Sequence, residues 1–205
     1  VGAGAYDISF LRCIPNMVIM TPADAAECRG LLTTAFLHDG PSAVRYPRGA
    51  AAADLSNTNS SKENTLTALP FGQGEQIRAG DKVALLVFGS LLSTALEVAK
   101  ELDASVYNMR FVKPLDTSLV DAAAQQHELL VTIEDNAIAG GAGSAVTEYL
   151  NNQQTKPQQA NNVLQIGFPD ELINHGQPDE LLSDWKLDKP GMLETIQLRI
   201  KELLI

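Results

Sequence analysis

Two arginines stand three residues apart in Arg45-Tyr46-Pro47-Arg48-Gly49, directly after the run Gly40-Pro41-Ser42-Ala43-Val44. A guanidinium presents a planar fork of donors that matches a phosphate or carboxylate bidentately and never loses its charge. The chain as a whole carries a formal net charge of -10. A tight basic pair on that background points to a small anion as partner. A second reading stands beside it: an arginine near a strand end also pairs with a local carboxylate or caps a helix C-terminus. Residues three apart on an extended strand face opposite ways, so both arginines reach one ligand only if Pro47 turns the chain between them. Arg48 is the first choice for the anion contact, because Gly49 lets a ligand approach the backbone closely. Arg45 comes second.

Other chemistry-bearing groups are sparser. Glu134-Asp135-Asn136 ends an apolar run and leads into Gly140-Gly141-Ala142-Gly143-Ser144. A glycine-rich helix start offers N–H groups to an anion. This one lacks the lysine of a phosphate loop and the spacing of a dinucleotide fingerprint, and its two carboxylates repel phosphate. A structural or interface role is the preferred reading. Asp7 and Arg12 flank the first apolar segment, where they form an ion pair or line a pocket. The three histidines, His38, His127 and His175, have no partner at metal-ligand or triad spacing, and each reads as structural. Cys13 and Cys28 read as reduced thiols. Trp185 reads as core or interface.

The elements that position these groups follow from pattern. Met17 to Met20 is a short buried strand. Thr21-Pro22 opens a helix with Thr21 as cap and Cys28, Leu31, Leu32, Ala35 and Phe36 as its apolar stripe. The helix stops at His38-Asp39-Gly40-Pro41, and Ser42 to Tyr46 returns as a parallel strand. Residues 50–65 lack periodicity and read as a linker. Strands then alternate with helices: Lys82 to Phe88, Leu91 to Leu102, Ser105 to Arg110, Leu115 to Gln126, Glu128 to Glu134, Gly143 to Asn151, Val163 to Gly167. An Asn/Gln-rich crossing loop spans 151–162. A last helix turns Leu193, Ile196, Ile200 and Leu203 inward. The pattern predicts an α/β fold with an open, mostly parallel sheet and helices on both faces.

The 205 residues suit one large or two small domains, and 45% hydrophobic content is ordinary for a globular chain. The acidic balance and the lack of a Lys/Arg stripe argue against nucleic acid. No apolar run is long enough for a membrane helix, and the first residues are not a signal peptide. The start at Val1, with no initiator methionine, reads as a fragment or processed subunit.

Several motifs together resemble the 1-deoxy-D-xylulose-5-phosphate synthase family, within the transketolase-like thiamine diphosphate enzymes. They are the run from Asp7 to Pro22, Gly40 to Gly49, Met109 to Asp116 and Glu134 to Ser144. The resemblance runs from near residue 4 to the C-terminus. It implies the end of a pyrimidine-binding domain (1–49), a linker (50–65) and a complete C-terminal transketolase-like domain (66–205). It also implies joining of pyruvate, after loss of CO2, to glyceraldehyde 3-phosphate by a homodimer that requires thiamine diphosphate and Mg²⁺. Under it, Arg48 matches the family arginine that holds the phosphate of glyceraldehyde 3-phosphate, Arg45 and Asp7 are weaker substrate-binding candidates, and the location is cytoplasmic or the plastid stroma.

The departures from the family pattern bear on activity. Gly2 stands at or near the place of a family histidine of the substrate pocket. The Gly-Asp-Gly segment that binds Mg²⁺ and diphosphate, and the glutamate that activates the aminopyrimidine, have no counterpart here. Catalytic, cofactor and metal ligands are therefore expected on an N-terminal portion of the same enzyme, and the chain alone is expected to be inactive. The alternatives are a piece of a 2-oxo-acid dehydrogenase E1 β subunit or a transketolase, and a non-catalytic dimerisation or regulatory module.

Overall fold

The computed structural model describes residues 4–47, 66–153, 162–173 and 176–205. Gly2, Arg48, Gly49, His175, the expected linker 50–65 and most of the expected crossing loop lie outside these residues.

The main sheet is built around β4 (Val83–Phe88), whose six residues are all buried. Its order is β3-β5-β4-β7-β8, where β3 is Glu75–Arg78, β5 Ser105–Asn108, β7 Leu129–Ala137 and β8 Asn162–Phe168. β4 runs parallel to β5 and β7, and β7 parallel to β8; β3 lies antiparallel on the edge. Successive side chains on a strand face opposite ways. Accordingly Val83, Leu85 and Val87 join one apolar cluster with α3 (Leu92–Leu102) and α7 (Lys189–Leu203). Ala84, Leu86 and Phe88 join another with α4 (Thr117–Gln126) and α5 (Ala142–Asn151). A strand walled on both faces reads as a continuous apolar run, and each fully buried leucine contributes about 1.5–3 kcal/mol. The mostly parallel α/β expectation holds.

A smaller sheet has the order β2-β1-β6, from β1 (Val18–Met20), β2 (Ser42–Val44) and β6 (Phe111–Lys113). β1 and β2 are parallel, joined through α2 (Ala25–Leu37), as the strand–helix–strand pattern predicts. β6 comes from the second region and pairs antiparallel with β1. The short helix α1 (Asp7–Arg12) buries Ile8 in the cluster that holds Leu86 and Phe88. The N-terminal elements α1 and β1 are thus packed into the same core as the later ones. The sequence pattern misses β3, whose Glu75-Gln76-Ile77-Arg78 is mostly polar, and β6, whose three residues are too few to show alternation.

Two readings of α2 are corrected. Its cap is Asp24, which accepts from the Glu27 N–H at 2.8 Å; Thr21 instead donates its N–H and hydroxyl to the Arg110 carbonyl at 2.7 and 3.3 Å. Its buried face is Ala26, Glu27, Gly30, Leu31 and Thr34, whereas Leu32 and Phe36 are 48% and 89% exposed. The reason is a close approach. A Cβ on Gly30 would stand 2.8 Å from Leu69 Cγ, and the Thr34 hydroxyl donates to the Leu69 carbonyl at 2.7 Å. Small and polar residues make much of the contact, so Leu32 and Phe36 face outward.

Candidate functional site at the end of β2

The parallel pairing of β1 and β2 continues one residue past β2, where the Arg45 N–H donates to the Met20 carbonyl at 2.8 Å. Beyond it come Tyr46 and Pro47, which has no N–H to extend the ladder. Arg45 therefore emerges at the C-terminal end of a parallel strand, the side where open α/β sheets hold ligands.

The Arg45 guanidinium is surrounded by its own protein. Nε donates to Asp7 Oδ1 and Oδ2 at 3.1 and 3.0 Å. Nη1 donates to Asp135 Oδ1. Nη2 donates to the carbonyls of Gly4 and Asp135 at 2.6 and 2.8 Å. The Ser90 hydroxyl completes the cluster by donating to Asp135 Oδ2 at 3.1 Å. Burial works against the cation, but Asp135 and then Asp7 outweigh it and raise the Arg45 pKa above the ordinary value. The structure joins two sequence candidates, Asp7 and Arg45, and adds Asp135 from a distant strand. It places Arg45 as a strut whose nitrogens all have internal partners. Arg12 does not pair with Asp7; it reaches Glu148 at 2.5 Å and the Gly140 carbonyl at 2.7 Å.

The run Glu134-Asp135-Asn136 explains how β7 serves this cluster. The β7–β8 register is irregular between Ile133 and Ala137, and such irregularities re-aim side chains. Glu134, 1% exposed, turns into the start of α5 and accepts from the Ala142 and Gly143 N–H groups at 2.7 and 2.9 Å. Burial outweighs the two amides, of which Gly143 lowers the pKa more than Ala142, and the net pKa of Glu134 is raised to about 7. Asp135 turns to Arg45. Asn136 turns to α1: Oδ1 accepts from the Ile8 N–H at 3.2 Å and Nδ2 donates to the Ser9 hydroxyl at 2.9 Å. The Ala137 N–H donates to the Ala5 carbonyl at 2.6 Å. Three consecutive side chains thus cap a helix, brace an arginine and dock the N-terminal segment.

The other candidates have structural surroundings. His127 is buried, its Nδ1 2.8 Å from the Ala123 carbonyl and its Nε2 2.8 Å from the Ser105 hydroxyl. His38 stacks on Phe71 with ring centroids 5.1 Å apart. Trp185 packs partly buried against the cluster of α3 and α7. Both cysteines are unpaired; Cys13 is exposed, and burial raises the Cys28 thiol pKa.

Among the described residues, no group of three or more His, Cys, Asp or Glu side chains is placed to hold a metal ion. The glycine-led start of α5 is already filled by the Glu134 carboxylate. These residues do not fit a diphosphate and its Mg²⁺. No helix among them is long and apolar enough to cross a membrane.

Comparison with known proteins gives concordant matches. The family model "Transketolase, C-terminal domain" matches residues 72–192 and "Transketolase, pyrimidine binding domain" matches residues 3–53. The chain is 52% identical to the 1-deoxy-D-xylulose-5-phosphate synthase of Shewanella denitrificans over 97% of its length, and 55% identical to that of Shewanella oneidensis over 94%. It is 50% identical to the synthase of Aromatoleum aromaticum over 96%. In each case it spans 30% of the relative's length. Among solved structures, one described as "Split gene transketolase, inactive beta4 tetramer" superposes with a TM-score of 0.81 at 28% identity, covering 93% of this chain and 60% of that one.

Proposed function

The chain belongs to the transketolase family, and on that footing we propose that it is the C-terminal portion of a 1-deoxy-D-xylulose-5-phosphate synthase. The activity in this reading is a thiamine-diphosphate-dependent condensation of pyruvate with glyceraldehyde 3-phosphate. The observation that carries it is the likeness to such synthases, 50–55% identity across almost the whole chain.

Within that activity the chain's share is the grip on the phosphorylated aldehyde. Arg48 is the proposed phosphate contact. Residues 1–49 would close a pyrimidine-binding domain and residues 66–205 form the C-terminal one, with 50–65 as linker. A guanidinium on a phosphate remote from the reacting carbonyl spends binding energy on orienting the aldehyde for attack. Thiamine diphosphate and Mg²⁺ lie, in this reading, with an N-terminal portion of the enzyme, which acts as a homodimer.

The test combines this chain with the N-terminal portion of such a synthase and measures product formed from pyruvate and glyceraldehyde 3-phosphate. Restored turnover with association supports the reading; neither turnover nor association counts against it. In the active assembly, Arg48→Ala should weaken binding of the phosphorylated aldehyde by about 2–4 kcal/mol, the loss of a charge-assisted bidentate contact, and leave pyruvate unaffected.

A transketolase reading has one observation in its favour, the fold shared with the split-gene transketolase. Acceptor preference separates the two: a ketose donor with an aldose acceptor should be turned over only if the transketolase reading is right.

A further inference from the structure

We propose that the free edge of β2 and the apolar flank of α2 together form a docking surface for a strand-and-helix unit of the enzyme's N-terminal portion. The inference rests on the reading above, in which this chain is the C-terminal portion of a longer enzyme. At one end of the smaller sheet stands β6, whose Phe111 and Val112 are buried in two separate apolar clusters. At the other end stands β2, only half-buried along its length, and no strand lies beyond it among the described residues. The Pro41 carbonyl accepts from the Val18 N–H at 3.0 Å and the Arg45 N–H donates to the Met20 carbonyl at 2.8 Å, so residues 41 and 45 face β1. Backbone groups alternate between the two edges of a strand, which turns the N–H and C=O of Ser42 and Val44 toward the free edge.

The flank of α2 on that side is apolar. Gly30 and Thr34 meet Leu69, and Leu69 clusters with Phe111 of β6. Two residues further along a helix the side chain has rotated by about 200°. Leu32 and Phe36 therefore leave α2 on the flank turned away from β6, and both are exposed. An added strand alone would pair with Ser42 and Val44 and leave those two side chains bare. A parallel strand comes with a crossover helix, and an apolar stripe on that helix covers Leu32 and Phe36 while the strand extends β2. One strand-and-helix unit thus meets both requirements. The relatives have the length for it, since this chain spans 30% of each. The pyrimidine-binding family model matches residues 3–53, and the strands described there are β1 and β2. Two strands are too few to make a stable sheet by themselves.

The experiment measures association of this 205-residue chain with the N-terminal portion of such a synthase, and amide exchange at Ser42 and Val44 in the chain alone and in the complex. Both amides should exchange roughly a hundredfold or more slowly in the complex, whereas Ala43, whose N–H faces β1, should be slow in both. Phe36→Glu keeps a good helix former at an exposed position and should weaken association roughly tenfold or more. Val44→Pro removes an outward N–H and spares the bonds of residues 41 and 45 to β1; it should also weaken association roughly tenfold or more. If that variant fails to fold, Ser42→Pro probes the same edge. Association of the variants at parental strength, or unprotected amides in the complex, overturns the inference while the reading above stands. Slow exchange of Ser42 and Val44 in the chain alone overturns it too, and its loss on dilution would assign the edge to a second copy. If the parent chain does not associate at all, the underlying reading fails and the inference with it.

Discussion

Glu27 and Arg110, 83 residues apart in sequence, meet at 2.6 Å between Oε1 and Nε with both side chains almost closed to solvent. Asn108 Nδ2 donates to the same oxygen at 2.8 Å, and the Ala23 N–H donates to Oε2 at 2.7 Å. Arg110 sits at φ 60°, in left-handed backbone, and its Nη2 reaches Glu75 at 2.7 Å. The network ties α2 to the turn between β5 and β6 and to the edge strand β3.

Breaking that pair from one side should be costly. Glu27→Ala takes the acceptor away from a buried guanidinium and two buried N–H donors. The expected loss is about 3–5 kcal/mol, read as a lowered denaturant midpoint at unchanged slope. Replacing both partners, Glu27→Leu with Arg110→Met, should recover only the part due to the unpaired guanidinium, since the Asn108 and Ala23 N–H groups still lose their acceptor. A loss below about 1 kcal/mol for Glu27→Ala would show that the network contributes no more than a surface pair.

Glu134 should make stability fall with rising pH. Its pKa is about 7 in the folded protein against 4.5 for an ordinary glutamate. Below about 4.5 both states are protonated and the group has no effect. Between about 4.5 and 7 the unfolded chain sheds its proton first and is favoured, and above about 7 the penalty levels off on the order of 3 kcal/mol. Glu134→Gln cannot ionise. The stability of that variant relative to the parent should therefore shift upward between about pH 5 and pH 8. A difference that stays flat over this range would contradict the assignment.

Adjacent glycines should respond to substitution for different reasons. Gly140 has φ +68° and room for a Cβ, whose nearest neighbour would be Ser9 Cβ at 3.7 Å. Its cost is backbone strain of about 1–2 kcal/mol for alanine, which asparagine should partly relieve. Gly141 has an ordinary φ of -77°, but a Cβ there would strike the Glu134 carboxylate and stand 2.5 Å from the Ala137 carbonyl. Gly141→Ala should be the more damaging of the two, and asparagine should not rescue it. Thermal unfolding of the alanine and asparagine variants at both positions decides the matter.

Much of the architecture is legible in the chain because local pattern and tertiary burial agree. The apolar run at Val83 to Phe88 is buried on both faces, so it reads as a strand whichever face is considered. The outer helix α2 is where pattern misleads, because Gly30 and Thr34 make its inner contact and no hydrophobic signal marks them. Of the site, Arg45 and Asp7 stand out as candidates from residue type and neighbours, whereas nothing pairs Asp135 with them. No spacing rule links residues 45 and 135, which stand 90 positions apart.

Periodicity and contiguous motifs are properties of the linear chain. They suffice for the alternation of strands and helices, the parallel core and the family to which the chain belongs. Which carboxylate meets which arginine is settled only in three dimensions. Ion pairs form between side chains that separate strands deliver to one place, and that delivery is set by sheet order and by the irregular register of β7 at Glu134 to Asn136.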